Sequence, residues 1–212
     1  GNKYKGTSLM NFGDLSTLSF HATKPYNTME GGAIVCHDEK TKQRIDYLKN
    51  FGFADEVTVM APGINSKMNE MQAALGLIQL KHYQKNVEKR QQIAKLYQSE
   101  LKDVNGIDLL EHINELDNYN NSYFPIFVNE KFYGKSRDDL YFYLKENGIY
   151  GRRYFHPLIT DFPSYKGLES TKSDNLSNAK KLAEEVLCLP IYPDLNEEMI
   201  NKITYLIKNI NE

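Results

Sequence analysis

Between positions 71 and 80 the chain reads Met-Gln-Ala-Ala-Leu-Gly-Leu-Ile-Gln-Leu, a run with no charged residue. It lies inside a longer helical pattern. Ser66 is placed to act as N-cap, and Glu70 falls in the first turn, where a negative charge suits the helix dipole. A helix that is apolar on nearly all sides must be buried on nearly all sides. Ala73, Ala74 and Gly76 allow another element to approach closely. In a chain of 212 residues, burial on this scale points to a subunit interface as well as a core. Beyond Lys81 the pattern turns amphipathic through Ile93, Leu96, Tyr97 and Leu101. The Lys/Arg-rich stretch 81–95 is interleaved with Glu88 and glutamines, so it reads as the solvated face of the same helix and not as a basic patch.

Composition narrows the class. Hydrophobic residues make up 41% and the formal net charge is −2, which describes a folded globular chain and gives no reason to expect nucleic-acid binding. No apolar run approaches the ~20 residues of a membrane helix. The opening Gly-Asn-Lys-Tyr-Lys-Gly is not followed by the apolar region of a signal peptide, so a cytoplasmic location is expected. Cys36 and Cys188 are far apart among apolar neighbours, as for two buried thiols in a reducing compartment. Cys36-His37-Asp38 cannot converge on one ion from a strand, because neighbouring side chains point to opposite faces. No metal site is expected.

Along the chain, 15–20 and 32–37 read as short buried strands, with Gly31-Gly32 permitting a tight turn. A short helix is expected over 41–50. A loop follows over 52–65, punctuated by Pro62-Gly63. Residues 103–121 are polar and Asn-rich, as in a linker. A second unit then begins with a strand at 123–128 and a helix started by Ser136, with Asp139 as capping-box partner and Gly148 at its end. A strand at 149–155 and helices at 177–187 and 196–210 complete it. The last helix carries a one-sided stripe of Ile200, Ile203, Leu206, Ile207 and Ile210. The reading is an α/β chain of two domains, 1–102 and 103–212.

Lys24 lies between the first two strands, in a stretch whose other charges are Asp14 and Glu30. Among Phe, His, Thr, Pro and Tyr a lysine loses solvation of its charged form, which favours the neutral amine. A neutral amine is the nucleophile that forms a Schiff base with a carbonyl. On the residues alone, a solvated surface lysine fits as well.

The segment Ser19-Phe20-His21-Ala22-Thr23-Lys24, followed by Glu30-Gly31-Gly32, resembles the cofactor-lysine segment of the DegT/DnrJ/EryC1/StrS sugar aminotransferases. These are pyridoxal-phosphate enzymes of the aspartate-aminotransferase fold. Two further blocks, from Pro62 to Gly76 and Leu189-Pro190-Ile191-Tyr192-Pro193, resemble later segments of that family, in family order. The resemblance implies the C-terminal part of a fold-type I pyridoxal-phosphate transferase: a partial cofactor domain, a long interface helix and a small α/β domain. Residues 1–6 resemble the segment just after the aspartate that pairs with the pyridine nitrogen, so the chain is expected to begin inside the cofactor domain.

The resemblance also implies roles. Lys24 is the catalytic residue and binds the cofactor pyridoxal 5'-phosphate. The Ser19 hydroxyl meets the cofactor phosphate, His21 lies beside the cofactor, and Asn65 reaches the phosphate of the other subunit. Taken alone, Ser19 fits a strand-end cap, His21 a packed ring and Asn65 a helix cap. In Arg152-Arg153-Tyr154-Phe155-His156-Pro157-Leu158, guanidinium forks suit phosphate oxygens and rings suit a base. Within a strand one of the two arginines faces the site; a solvated edge strand is the alternative. The segment resembles the sugar-binding part of the family, which makes Arg152, Arg153, Tyr154 and His156 substrate-binding candidates. The implied reaction moves an amino group from glutamate to a nucleotide-linked keto-6-deoxyhexose, such as dTDP-4-dehydro-6-deoxyglucose, in lipopolysaccharide or other surface-polysaccharide synthesis. The implied assembly is a homodimer, and the chain alone is expected to be inactive. A dTDP-3-keto-6-deoxyhexose aminotransferase and a non-catalytic dimerisation or binding module are the alternatives. Family dehydratases carry histidine in place of the lysine, so Lys24 argues against that chemistry.

Overall fold

The computed structural model describes residues 1–110, 116–117, 119–172 and 176–210. In chain order the elements are β1 (Lys3–Tyr4), β2 (Thr7–Ser8), β3 (Leu15–Ser19), β4 (Gly32–Cys36), α1 (Glu39–Lys49), α2 (Glu70–Leu101) and β5 (Ile107–Leu109). Then come β6 (Leu116–Asp117), β7 (Phe124–Val128), α3 (Glu130–Tyr133), α4 (Arg137–Glu146), α5 (Ser177–Glu185), β8 (Val186–Leu189) and α6 (Glu197–Lys208). This mixed α/β chain divides into two compact units: Gly1–Val87 with Glu115–Asn120, and Glu88–Asn114 with Asn121–Glu212.

In the first unit β1 pairs antiparallel with β2 and with β6. β3 and β4 form a separate antiparallel pair, with Leu15 opposite Cys36 and Ser19 opposite Gly32. Each is one residue shorter than the sequence predicts. Neither is buried as expected: Leu15 and Ile34 are each 47% exposed. The cause is what packs on them. The pair walls an open concavity of ≈ 810 Å³, shared with Ile45 of α1 and Met68, where a buried strand would meet a second apolar layer.

α2 begins at Glu70, not at Ser66. Asn69 wins the cap: its Oδ1 accepts from the Gln72 N–H at 2.9 Å, and Gln72 Oε1 accepts from the Asn69 N–H at 3.3 Å. That is a reciprocal capping box. The Ser66 N–H instead donates to the Lys49 carbonyl and ties the preceding loop to the end of α1. The uncharged run inside α2 is exposed in this chain, with Met71 81% and Leu77 65% accessible. Its expected burial is therefore not met within the chain.

The second unit holds the core. Its sheet runs β5-β7-β8, all antiparallel. Ile126 and Leu187 of the sheet, Leu140 and Leu144 of α4, and Ile203 and Ile207 of α6 are all 0% exposed and belong to one cluster. Each such side chain contributes roughly 1.5–3 kcal/mol by leaving water. The α6 stripe is legible in its sequence spacing, and Asn196 caps the helix by accepting from the Met199 N–H at 2.9 Å. The Ser136–Asp139 capping box forms, and Gly148 follows the Asn147 C-cap in a left-handed conformation, φ 80.

Three expectations change here. The stretch 103–121 is not a plain linker: it contributes β5, whose Ile107 is buried, and β6; residues 111–115 and 118 lie outside the described residues. Residues 149–155 are not a strand. They meet β8 at one bridge, Arg152 opposite Cys188, and then turn, with the His156 N–H donating to the Arg153 carbonyl at 2.7 Å. Arg90, within the stretch expected to be solvated, is 8% exposed and donates to the carbonyls of Asn121 and Ile191.

Cys188 is buried and Cys36 half-buried, both as free thiols. Burial pushes the Cys188 thiol up to about 11, so it is not a reactive thiolate at neutral pH. Among the described residues no helix is long and apolar enough to cross a membrane, and no side-chain group has the composition of a metal site.

Candidate functional site

Lys24 is carried on a loop whose two ends are tied together. At its base the Phe20 N–H donates to the Gly31 carbonyl at 2.9 Å, and the Thr28 N–H donates to the Phe20 carbonyl at 3.0 Å. Inside the loop the Lys24 N–H donates to the His21 carbonyl at 2.9 Å, and Asn27 Nδ2 donates to the Lys24 carbonyl at 3.2 Å. The loop is thus fixed on both sides of the lysine, and Lys24 is half-buried. Tyr26 packs edge-on against Phe20, ring centroids 4.9 Å apart. A Cβ at Gly76 of α2 would come within 2.8 Å of the Tyr26 hydroxyl and 3.1 Å of Thr28 Cγ2. The small residue in the helix therefore serves the close approach of this loop, a use that glycine within a helix signals.

Two of the sequence-predicted residues flank Lys24 on the same segment. Ser19, at the end of β3, is exposed, and its Oγ accepts from the His21 N–H at 3.4 Å. Its hydroxyl proton remains to be donated. His21 Nδ1 accepts from the Thr23 N–H at 3.4 Å and lies 3.0 Å from Thr23 Oγ1. That assigns the ring proton of the neutral form to Nε2, which faces Glu30 Oε1 at 3.6 Å. Asn65 lies on a different loop. Its backbone bridges to Asn50 and its side chain is exposed.

The base of the Lys24 loop depends on Gly31, which sits at φ 148. A Cβ there would lie 2.5 Å from Thr28 Oγ1, and Thr28 is 1% exposed. Gly31→Ala is expected to strain this base by ~1–3 kcal/mol. Amide exchange at Phe20 and Thr28 should speed up by about tenfold or more. Unchanged exchange across residues 20–31 would count against a closed base.

In the second unit Arg152, Arg153, Tyr154, Phe155 and His156 line one cavity of ≈ 300 Å³ together with Tyr141. All four predicted substrate residues are therefore brought together. Since the segment turns and is not a strand, both arginines reach the cavity wall. The rings of Tyr154 and Phe155 stack at 4.8 Å and 12°, and Tyr123 meets Tyr154 edge-on at 5.4 Å. Phe155 is 67% exposed and also meets Tyr123 edge-on, ring centroids 6.4 Å apart. The Arg153 guanidinium lies over Tyr141, 4.5 Å from the ring centroid. It donates to Asp138 at 3.0 Å. Tyr141 and Asp138 are the residues sequence reasoning missed. Both sit on α4, four and one residues after its first helical position, and nothing local marks them as neighbours of residue 153.

The profile of the DegT/DnrJ/EryC1/StrS aminotransferase family matches residues 1–208. A dTDP-4-amino-4,6-dideoxy-D-glucose transaminase of Escherichia coli is 54% identical over 179 residues, 84% of this chain and 47% of the relative. Among solved structures, DesI in the presence of its TDP-sugar product superposes with a TM-score of 0.90 at 31% identity, covering 98% of this chain and 52% of that one. The PLP-form of a putative sugar aminotransferase, Spr1654 from Streptococcus pneumoniae, superposes with a TM-score of 0.88 at 25% identity, covering 99% of this chain and 55% of that one. The chain spans about half the length of the curated relatives it matches.

Proposed function

Since this chain belongs to the DegT/DnrJ/EryC1/StrS aminotransferase family, we propose that it is the C-terminal part of a pyridoxal-phosphate-dependent sugar-nucleotide aminotransferase of fold type I. The amino group passes from glutamate to a nucleotide-linked keto-6-deoxyhexose, with dTDP-4-dehydro-6-deoxyglucose as the leading substrate. The product feeds surface-polysaccharide synthesis. The similarity to a dTDP-4-amino-4,6-dideoxy-D-glucose transaminase favours the 4-keto sugar over the 3-keto sugar. The whole protein is a cytoplasmic homodimer in this reading. The domains are 1–102, the end of the cofactor domain with its long helix, and 103–212, the small domain.

The observation that carries the proposal is the doubly tied loop that holds Lys24 half-buried between two strands. The residues fit the cofactor. Lys24 offers an amine on a fixed base, Ser19 offers a hydroxyl donor for a phosphate oxygen, and His21 offers an oriented imidazole on the same segment. Asn65 supplies an exposed amide donor for a phosphate in the neighbouring subunit. When bound, pyridoxal phosphate supplies an electron sink for the carbon that loses its proton. The chain's own share is acid–base work and placement. The Lys24 amine would take the proton from the α-carbon of the amino donor as general base and, once protonated, would give it up again as general acid. A loop closed at both ends keeps that amine in place, which avoids reordering at the moment of reaction. Arg152, Arg153, Tyr154 and His156 hold the nucleotide sugar.

Exposure of the β3–β4 pair and of the 71–80 run supports a chain completed by further polypeptide and a second subunit, because such apolar surface is a liability when left in water. Titration with pyridoxal phosphate, followed by absorbance, tests the reading. The whole protein should develop a near-visible band that depends on Lys24. The 212-residue chain alone should bind weakly or not at all. Saturable binding with turnover of glutamate by the isolated chain would overturn the partial-site reading. A whole protein with no band would overturn the cofactor assignment.

A further inference from the structure

The carboxylate of Asp138 lies where two guanidinium groups meet. Its Oδ1 accepts from Arg137 Nε at 2.6 Å and from Arg153 Nη1 at 3.0 Å. The two arginines differ in what surrounds them. The Arg137 side chain is 3% exposed and also donates to the carbonyls of Ala183 and Val186. The Arg153 side chain is 30% exposed and lines the cavity beside Arg152. Asp138 is therefore anchored from behind by a buried cation and grips a second cation in front. Tyr141 covers one face of that second guanidinium. A guanidinium has five N–H donors in a fixed fork, so the bond to Asp138 leaves an edge for another acceptor. Two cations against one carboxylate also leave the cluster positive.

Burial alone raises the Asp138 carboxyl. The hydrogen bonds and charges of Arg153 and Arg137 outweigh it and hold the group below the usual carboxylate range. A helix-dipole role is the simpler explanation for an acid in a first turn. In α4, however, the cap is already made by Ser136 with Asp139, and Asp138 points its oxygen at the arginines instead.

We propose that Asp138 is a positioning residue that fixes the Arg153 guanidinium, against the Tyr141 ring, as the contact for an anionic oxygen of a nucleoside diphosphate bound in this cavity. This deepens the nucleotide-sugar reading and rests on it. An arginine already ordered loses less rotamer freedom on binding than a free one. Its fork also presents two parallel donors, which suits phosphate geometry.

The test uses the whole protein with Asp138→Asn, Arg153→Ala and the double variant. It measures kcat and KM for the nucleotide-linked keto sugar, and the affinity for thymidine diphosphate alone. Asp138→Asn is expected to raise KM and weaken diphosphate binding about tenfold, with kcat changed by less than about twofold. In the Arg153→Ala background the same change should have no further effect. A tenfold loss that persists without Arg153 would show Asp138 acting through some other group and would overturn the proposal. Arg153→Ala with undiminished diphosphate affinity would instead remove the nucleotide reading of the cavity. Arg153→Lys keeps the charge without the fork and covers the case in which Asp138→Asn melts early. It should weaken diphosphate binding at an unchanged melting temperature, and binding as tight as the unmodified protein overturns the proposal.

Discussion

Lys24→Ala in the whole protein is expected to abolish transamination while leaving the fold nearly unchanged. The loop is built by its backbone: Phe20 with Gly31, Thr28 with Phe20, and the Lys24 N–H with the His21 carbonyl. None of these bonds uses the lysine side chain. Truncating a half-buried side chain outside the core changes stability by ~0.5–1 kcal/mol at most. The chemical loss is far larger. A positioned acid–base group contributes about 10²–10⁴ in rate, and Lys24 is also the proposed anchor of the cofactor. Lys24→Arg should not rescue, since a guanidinium stays protonated and is no nucleophile. Turnover assayed beside thermal melting checks both halves. Residual turnover above about one hundredth of normal, on the scale of acid–base effects, would sink the assignment of Lys24. A collapse of the melting temperature would mean that the lysine supports packing and not chemistry.

How much of this was legible in the sequence depended on how local the cause was. The Ser136–Asp139 box and the α6 stripe from Ile200 to Ile207 are set by neighbours within a turn or two and formed as read, while Ile210, read as part of the stripe, lies past the helix end at Lys208. The placement of Lys24 between two paired strands was legible because those strands adjoin it in sequence. Burial was not legible, because it depends on what packs from elsewhere. The same apolar residues that predict buried strands at 15–20 and 32–37 stand half-exposed where a layer is lacking. The start of α2 was misplaced by competition between two good caps, Ser66 and Asn69. The winner has Gln72 three residues on to return the bond. Arg90 carried a signal that was overlooked. It falls in step with Val87, Ala94, Tyr97 and Leu101 at three- and four-residue spacing, all of them buried. A basic residue on an apolar stripe needs acceptors, and it finds the Asn121 and Ile191 carbonyls. The pairing of Arg153 with Asp138 and Tyr141 is a matter of tertiary approach, and no spacing encodes it.

A large loss of stability from one polar substitution is expected at Arg137. This side chain is a structural rivet in the second unit. Its Nη1 donates to the Ala183 carbonyl at 3.0 Å and to the Val186 carbonyl at 2.8 Å. Those carbonyls belong to the end of α5 and the start of β8, where the helix leaves acceptors without helical donors. Its Nε donates to Asp138. A cation buried this deeply stands because its Nε and Nη1 donors have partners. Replacing the arginine by an apolar group removes the donors and leaves buried acceptors behind. Leaving such buried carbonyls unpaired costs about 1–3 kcal/mol each, a sizeable share of the 5–15 kcal/mol that holds a typical domain. Arg137→Ala should therefore lower the melting temperature by roughly 10 °C. Arg137→Lys should do better but not well, since one ammonium cannot replace a fork that spans Asp138 and two carbonyls. Asp138→Asn, which removes charge from the same cluster but leaves the carbonyl contacts, should be milder than Arg137→Ala. If Arg137→Ala melts within about 2 °C of the unmodified protein, the two carbonyls find other donors or water, and the rivet is not needed.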